Sequence, residues 1–328
     1  MEGAAVNILV TGGCGFIGSN FVRMVLSSGK NTVVNLDSLT YAANPENLKD
    51  VDPARYSLVQ GSVSDAALVN DIVGSGFAAV VNFAAESHVD RSLKGSAIFA
   101  RTNIEGTIVL LEAVKRYRVE KFLQVSTDEV YGSLPEAGAF VETMPLDPKN
   151  PYSATKAAAD LLTQIYAKTF GIHAVVTRSS NNYGPFQYPE KFIPLFVTNA
   201  LEGKSCPLYG DGMNVRDWLH VEDNCRGIFA ALERGRSGEV YNLGGGNERP
   251  NIEVARAIMR GLGRPESLIQ LVKDRLGHDR RYAIDCSKAK RDLGWAPEIP
   301  FEKGLEGTLK WYCSNAEWIG QSKRRKGA

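Results

Sequence analysis

Val10-Thr11-Gly12-Gly13-Cys14-Gly15-Phe16-Ile17-Gly18 decides how the rest of this chain is read. It follows a short apolar run, Asn7-Ile8-Leu9-Val10, that predicts a strand, and it opens a helical pattern from Phe16 to Leu26. Glycines 13, 15 and 18 fit G-x-G-x-x-G, while glycines 12, 15 and 18 fit G-x-x-G-x-x-G. In both registers the missing Cβ atoms permit a tight turn and a close backbone approach to a pyrophosphate, which the helix N-terminus then receives. Asp37 stands nineteen residues beyond Gly18, after the second strand-like run Thr32-Val33-Val34-Asn35-Leu36. A carboxylate there accepts hydrogen bonds from an adenosine ribose and repels a 2′-phosphate, which favours NAD over NADP. The other reading of the same residues is a structural glycine turn with Asp37 capping a loop.

Outward from this motif the alternation continues. Strands are expected at Tyr56 to Gln60, Ala79 to Phe83, Phe122 and Ala174 to Arg178, and helices at Ala66 to Val73, Phe99 to Tyr117 and Pro151 to Phe170. Strands alternating with helices imply right-handed βαβ units, hence an α/β protein with a Rossmann-type doubly wound parallel sheet. After Asn182 prolines and aromatic residues break the pattern, so residues 182–328 are expected to form mainly a smaller, discontinuous C-terminal lobe. The sheet domain is expected to span residues 1–181, with returning segments near 224–247 that include the strand-like Glu239 to Leu243.

Composition narrows the function classes. The chain has 328 residues, 44% of them hydrophobic, and a formal net charge of +1, which gives no electrostatic case for nucleic acid or membrane as partner. The five cysteines are scattered without a C-x-x-C, and the four histidines form no metal-ligand pattern with them. Free thiols in a reducing, cytoplasmic compartment are expected, with no metal. No apolar run reaches the ~18 residues of a membrane span. The basic run Lys323-Arg324-Arg325-Lys326 reads as a solvated tail.

Tyr152-Ser153-Ala154-Thr155-Lys156 opens the helix at Pro151. Residues i and i+4 share a helix face, so the Tyr152 hydroxyl and the Lys156 ammonium can point the same way. A nearby cation favours the phenolate and is expected to lower the Tyr152 pKa toward working pH. Such a tyrosine takes a proton from a sugar hydroxyl while hydride leaves the same carbon for a nicotinamide.

With the glycine motif, Asp37 and the Tyr152/Lys156 pair, the chain resembles the extended short-chain dehydrogenase/reductase family. The resemblance implies tightly held NAD, contacted by Gly12, Gly15, Phe16, Ile17, Gly18, Asp37, Ser62, Val63, Ala84, Ala85, Ser87, Thr102, Tyr152 and Lys156. It also implies that Thr127 helps Tyr152 polarise the substrate, and that the protein is a homodimer, for which the multi-sided apolar helices near Thr102 to Tyr117 and Pro151 to Phe170 leave a face.

Ser126-Thr127-Asp128-Glu129-Val130-Tyr131-Gly132 places two carboxylates at a strand end. A 4-epimerase needs no extra acid and base there. A reaction that also removes a proton from one carbon and protonates a hydroxyl leaving another does, and like-charge proximity pushes two carboxyl pKa values apart. A solvated loop pair is the plain alternative. This trio, with the stretches Ala84 to Ser92, Ser180 to Pro185, Pro189 to Lys191, Asn214 to Trp218 and Gly277 to Tyr282, resembles the nucleotide-sugar 4,6-dehydratases of that family. That implies Asp128 as acid, Glu129 as base, and a dTDP-glucose substrate met by His88, Asn182, Glu190, Lys191, Arg216, Asn251, Arg275, His278 and Tyr282. A UDP-linked substrate is the alternative, followed by 4-epimerisation or decarboxylation. The chain departs from the family pattern at Ser62, where an Asp is usual and Asp65 is the available substitute, and at Leu276 and Asn224.

Overall fold

Isoleucine 8 and Val10 pack to one side of the first strand and Leu9 to the other, so this strand is buried on both faces. The computed structural model describes residues 6–274 and 279–325. Strands β1 (Asn7–Thr11), β2 (Thr32–Asp37), β3 (Tyr56–Gln60), β4 (Ala79–Asn82), β5 (Lys121–Thr127) and β6 (Ala174–Ser179) alternate with helices. The helices are α1 (Phe16–Ser27), α2 (Ala66–Gly74), α3 (Val89–Lys94), α4 (Ala97–Phe99), α5 (Gly106–Tyr117) and α6 (Pro151–Phe170), with a π-helical turn, Ala100–Glu105, joining α4 to α5. The rest comprises β7 (Asn181–Tyr183), α7 (Phe192–Leu201), β8 (Cys206–Tyr209), β9 (Val215–His220), α8 (Val221–Arg234), β10 (Val240–Leu243), β11 (Glu248–Pro250), α9 (Asn251–Gly261), β12 (Ile269–Val272), α10 (Ser287–Leu293), α11 (Phe301–Ser314) and α12 (Ala316–Arg324).

The main sheet has seven strands in the order β10-β6-β5-β4-β1-β2-β3, all parallel. The order reverses between β1 and β4, which leaves a crevice beyond their carboxyl ends. One face carries α1 and α8 over Ile8, Val10 and Val81, and the other carries α2 and α5 over Leu9, Val80 and Phe122. This is the expected doubly wound α/β sheet. Beyond it, β11, β9 and β7 form a three-stranded sheet and β12 pairs with β8. Tyr183, Phe196, Trp218 and Phe301 centre a separate aromatic core there.

The helix that carries Tyr152 is framed by its own sequence. The Asn150 side chain accepts from Ser153 N at 2.9 Å while Ser153 Oγ accepts from Asn150 N at 3.3 Å, a reciprocal cap that starts α6 at Pro151. Gly171, at φ 71°, ends it in the left-handed conformation. Under the crevice, Thr11 Oγ1 donates to Asn82 Oδ1 at 2.6 Å and Asn82 Nδ2 donates to Gln124 Oε1 at 2.8 Å, tying the ends of β1 and β4 to the middle of β5. All three side chains are buried, so none can exchange its partner for water. Asn82→Ala leaves the Thr11 hydroxyl proton without its acceptor and Gln124 Oε1 without its donor in the interior. It is expected to lower unfolding stability by about 2–4 kcal/mol, read from urea denaturation midpoints.

Candidate active site

The glycine loop lies against the strand ends. Gly12 has φ +70°, and a Cβ on it would meet Ala84 N at 2.8 Å. A Cβ on Gly18 would meet the Gly12 carbonyl oxygen at 2.4 Å, so the first turn of α1 rests directly on the loop. Gly12, Gly15 and Gly18 line a cavity of about 340 Å³, together with Phe16, Ile17 and Asp37. Gly13 is turned away, donating its N–H to Asn35 Oδ1 at 2.8 Å, so the register that faces the cavity is Gly12, Gly15, Gly18. Asp37 Oδ2 accepts from Cys14 N and Oδ1 from Leu39 N, both at 2.8 Å. Burial pushes the Asp37 carboxyl up while these two N–H groups pull it down.

Ala84, Ala85, Ser87, Thr102, Tyr152 and Lys156 line the same cavity. Ser62 and Val63, expected there from the resemblance, are not among its lining residues. Val63 is packed in the core beneath α5, and Ser62 Oγ pairs with Ser64 Oγ at 2.9 Å. Asp65 spends Oδ1 on the N-terminus of α2, accepting from Ala67 N and Leu68 N.

At the end of β5, Thr127 caps the next turn: Glu129 N donates to Thr127 Oγ1 at 3.3 Å, and Thr127 Oγ1 contacts Asp128 Oδ1 at 3.3 Å. That turn folds Asp128 inward to 2% exposure and leaves Glu129 partly open. Asp128 Oδ2 is buried with no hydrogen-bond partner. Burial, then the charges of Glu129 and Asp217, hold the Asp128 carboxyl well above its ordinary range, with Arg216 opposing. Lys156 is also buried and donates from Nζ to the Val125 carbonyl at 2.6 Å. Burial pushes its ammonium down to about 8, against the pull of Asp160. Tyr152 corrects the sequence expectation. Its phenol is pushed up, not down, first by burial and then by Glu129, while a hydrogen bond with Thr127 pulls the other way. Spacing placed Lys156 on the same helix face, but desolvation and the carboxylates Glu129, Asp128 and Asp160 set the direction.

His88, Asn182, Glu190, Lys191, Arg216, Asn251 and Tyr282 line an adjoining cavity of about 480 Å³. Glu129, Asn182, Glu190 and Lys191 border both cavities, so the two form one cleft. Arg216 donates to the carbonyls of Val215 and Asp279 at 2.8 and 2.9 Å and stacks over the Tyr282 ring at 4.4 Å. Arg275, Leu276 and His278 lie outside the described residues.

Sequence reasoning missed three residues of this cleft. Asn103 exchanges both amide hydrogen bonds with the Glu86 backbone at 2.9 and 3.0 Å and donates to Thr155 Oγ1 at 2.9 Å, holding the loop after β4 against α6. Tyr41 donates to Glu190 Oε1 at 2.8 Å across the mouth. Asp217 accepts from Gly245 N and Asn247 N at 3.0 and 2.8 Å behind Asp128. No spacing rule points to any of them.

The family model for GDP-mannose 4,6 dehydratase matches residues 9–308. This chain belongs to that family. It is 50% identical over 320 residues to a dTDP-glucose 4,6-dehydratase of Streptomyces niveus, covering 95% of this chain and 94% of that one. Among solved structures it superposes on a dTDP-glucose 4,6-dehydratase of Bacillus anthracis, in complex with NAD, with a TM-score of 0.91 at 50% identity. That match covers 97% of this chain and 100% of the other. A dTDP-glucose 4,6-dehydratase of Streptomyces venezuelae, also with NAD bound, gives 0.93 at 47% identity, covering 96% and 99%. The family's sheet and cleft are therefore the ones described above.

The state of Asp128 can be measured. Its carboxyl is held well above its ordinary range in the fold, so between the unfolded and folded pKa values folding takes up a proton. The sign follows: this group's contribution is fully present below its unfolded pKa and is lost as pH rises above it. Asp128→Asn removes that loss. The variant is expected to melt a few degrees above the parent at neutral pH, with the gap closing below pH ~4, by thermal unfolding across pH.

Proposed function

We propose that this chain converts dTDP-glucose to dTDP-4-keto-6-deoxyglucose and water, as an NAD-dependent hydro-lyase. The observation that carries the reading is Asp128: a buried carboxyl, held well above its ordinary range by burial, beside the more open Glu129, in the cleft that the glycine loop and Arg216 share. Relatives that are half identical over nearly their whole length carry the same activity by name.

The glycine cradle fits a dinucleotide, because Gly12 and Gly18 leave no room for a Cβ and their loop opens a helix N-terminus. Gly12, Gly15, Phe16, Ile17 and Gly18 would hold the pyrophosphate, Asp37 the adenosine ribose, and Lys156 the nicotinamide ribose. NAD supplies the acceptor and donor for a hydride taken from C4 and returned to C6, and a positive charge that favours ionisation of Tyr152.

The side chains divide the proton transfers. Tyr152 Oη removes the C4 hydroxyl proton, with Thr127 oriented beside it. The C4 ketone acidifies C5–H, and Glu129 takes that proton. Asp128 gives its proton to the C6 hydroxyl, which leaves as water. C5 is then reprotonated, and the product shows no net redox change. Elimination needs one protonated and one ionised carboxyl, and burying Asp128 while leaving Glu129 open separates them. Arg216 and Asn251 would meet the diphosphate and nucleoside, Tyr282 stacking under Arg216, while His88, Asn182, Glu190 and Lys191 border the sugar.

The same proposal covers the assembly. Leu161 and Ile165, one turn apart on α6, are 52% and 51% exposed, which suits pairing of this face in a homodimer. The division into an NAD-binding domain (residues 1–181 with 224–247) and a substrate lobe belongs to it, with α10 added, since that helix packs on α8 and β10. Among the described residues no helix is long and apolar enough to cross a membrane. All five cysteines are unpaired, which suits the reducing cytoplasm.

Incubation with dTDP-glucose is expected to yield a product lighter by one water and with the alkaline ultraviolet absorbance of a 4-keto sugar nucleotide. UDP-glucose in parallel tests the base. Glu129→Gln is expected to retain C4 oxidation but lose ~10²–10⁴-fold in elimination. No dehydrated product from any hexose nucleotide would refute the reading.

A further inference from the structure

The α6 helix carries a second charged residue toward the interior. Asp160 follows Lys156 by one turn and is 0% exposed. Its Oδ2 accepts from Arg178 Nε on β6 at 2.8 Å, and Arg178 is itself 2% exposed. Its Oδ1 is buried and makes no hydrogen bond. The mechanism above gives neither residue a task.

We propose that Asp160, clamped by Arg178, is a positioning residue for Lys156: it keeps the buried ammonium charged and so keeps it seated on the β5 carbonyl. Lys156 has its Nζ on Val125 O, a neutral acceptor that favours the ammonium less than a carboxylate would. Burial works against the charged form, and Asp160, one helical turn beyond Lys156 and itself fully buried, acts for it. A lone buried carboxylate is costly, so Asp160 needs its own partner. Arg178 provides it from the neighbouring strand, and its guanidinium lies over the Tyr131 ring at 4.7 Å. The remaining groups in this layer are Tyr131, which donates to Asn242 Oδ1 on β10 at 2.8 Å, and Glu142, which accepts from Asn242 N at 2.9 Å. On the cleft side stand Tyr152, Asp128 and Glu129. Glu142 acts on Tyr131, not on Lys156. Asp160 is thus placed to set the charge of Lys156 without touching substrate.

The test is a direct titration of Lys156, which does not depend on turnover; only its effect on the reaction rests on the function proposed above. Protein labelled with ¹³C at lysine Cε is titrated by NMR, the Lys156 signal being identified by its loss in Lys156→Arg. Asp160→Asn keeps the shape and an acceptor for Arg178 but removes the charge. It is expected to move the Lys156 midpoint down by about one pH unit, a tenfold smaller charged fraction on the alkaline side. If burying Arg178 unpaired prevents folding, Asp160→Asn/Arg178→Met removes both charges at similar volume and is expected to move the midpoint the same way. Asp160→Glu is expected to retain the parental midpoint. In turnover of dTDP-glucose, the alkaline limb of kcat/KM follows the Lys156 midpoint while the acid limb stays. An unchanged Lys156 midpoint in whichever neutral variant folds overturns the proposal, and so does a uniform loss of turnover at every pH. Absence of turnover in the parent would refute the function instead and leave the NMR result decisive for Asp160.

Discussion

Everything around the cleft depends on one backbone contact, the seating of Gly18 on the carbonyl of Gly12. It sets the first turn of α1 directly over the end of β1. The order of the sheet reverses beside that strand, so no neighbouring connection covers the opening. A methyl group at Gly18 would push helix and loop apart, and one at Gly12 would push the loop off the segment that follows β4. The buried polar ladder through Thr11, Asn82 and Gln124 then fixes the ends of β1 and β4 against the middle of β5, which runs on to Thr127 at the cleft.

At that depth, water is scarce, and desolvation is the largest influence on Asp128, Tyr152 and Lys156 alike. It raises the two acids and lowers the base. All three are driven toward neutrality, so each must be recharged or discharged by something specific when chemistry needs it. For Asp128, neutrality is the state that the proposed reaction uses. For Tyr152 and Lys156 it would be an obstacle in the proposed reaction, one that a bound cofactor's charge would meet in one case and the proposed action of Asp160 in the other.

What could be read from sequence was what is local. The glycine loop, the capped start of α6 and the turn after β5 are each written within a few consecutive residues. So were the strands of the main sheet, down to β10, because burial makes most of them short apolar runs, the exposed edge strand β3 excepted. The second lobe escaped because β7, β8, β11 and β12 are only three or four residues long and find their partners far along the chain. Side-chain environments escaped for the same reason. Nothing near Tyr152 announces its depth of burial, and nothing near Asp160 announces Arg178. Ser62 and Val63 were matched to a family pattern by position alone, and their side chains turn to Ser64 and to the core beneath α5.

The path of the chain has a mechanical consequence. After β6 it enters the small sheet at β7, comes back to the large sheet through α8 and β10, leaves again at β11, and returns once more as α10. A two-domain enzyme joined by one linker opens like a book. Here several covalent crossings run side by side, and a wide swing about any one of them would stretch the others. The entrance must therefore work by small movements of the segments at its lip, where Tyr41 reaches over to Glu190, while the walls behind stay still.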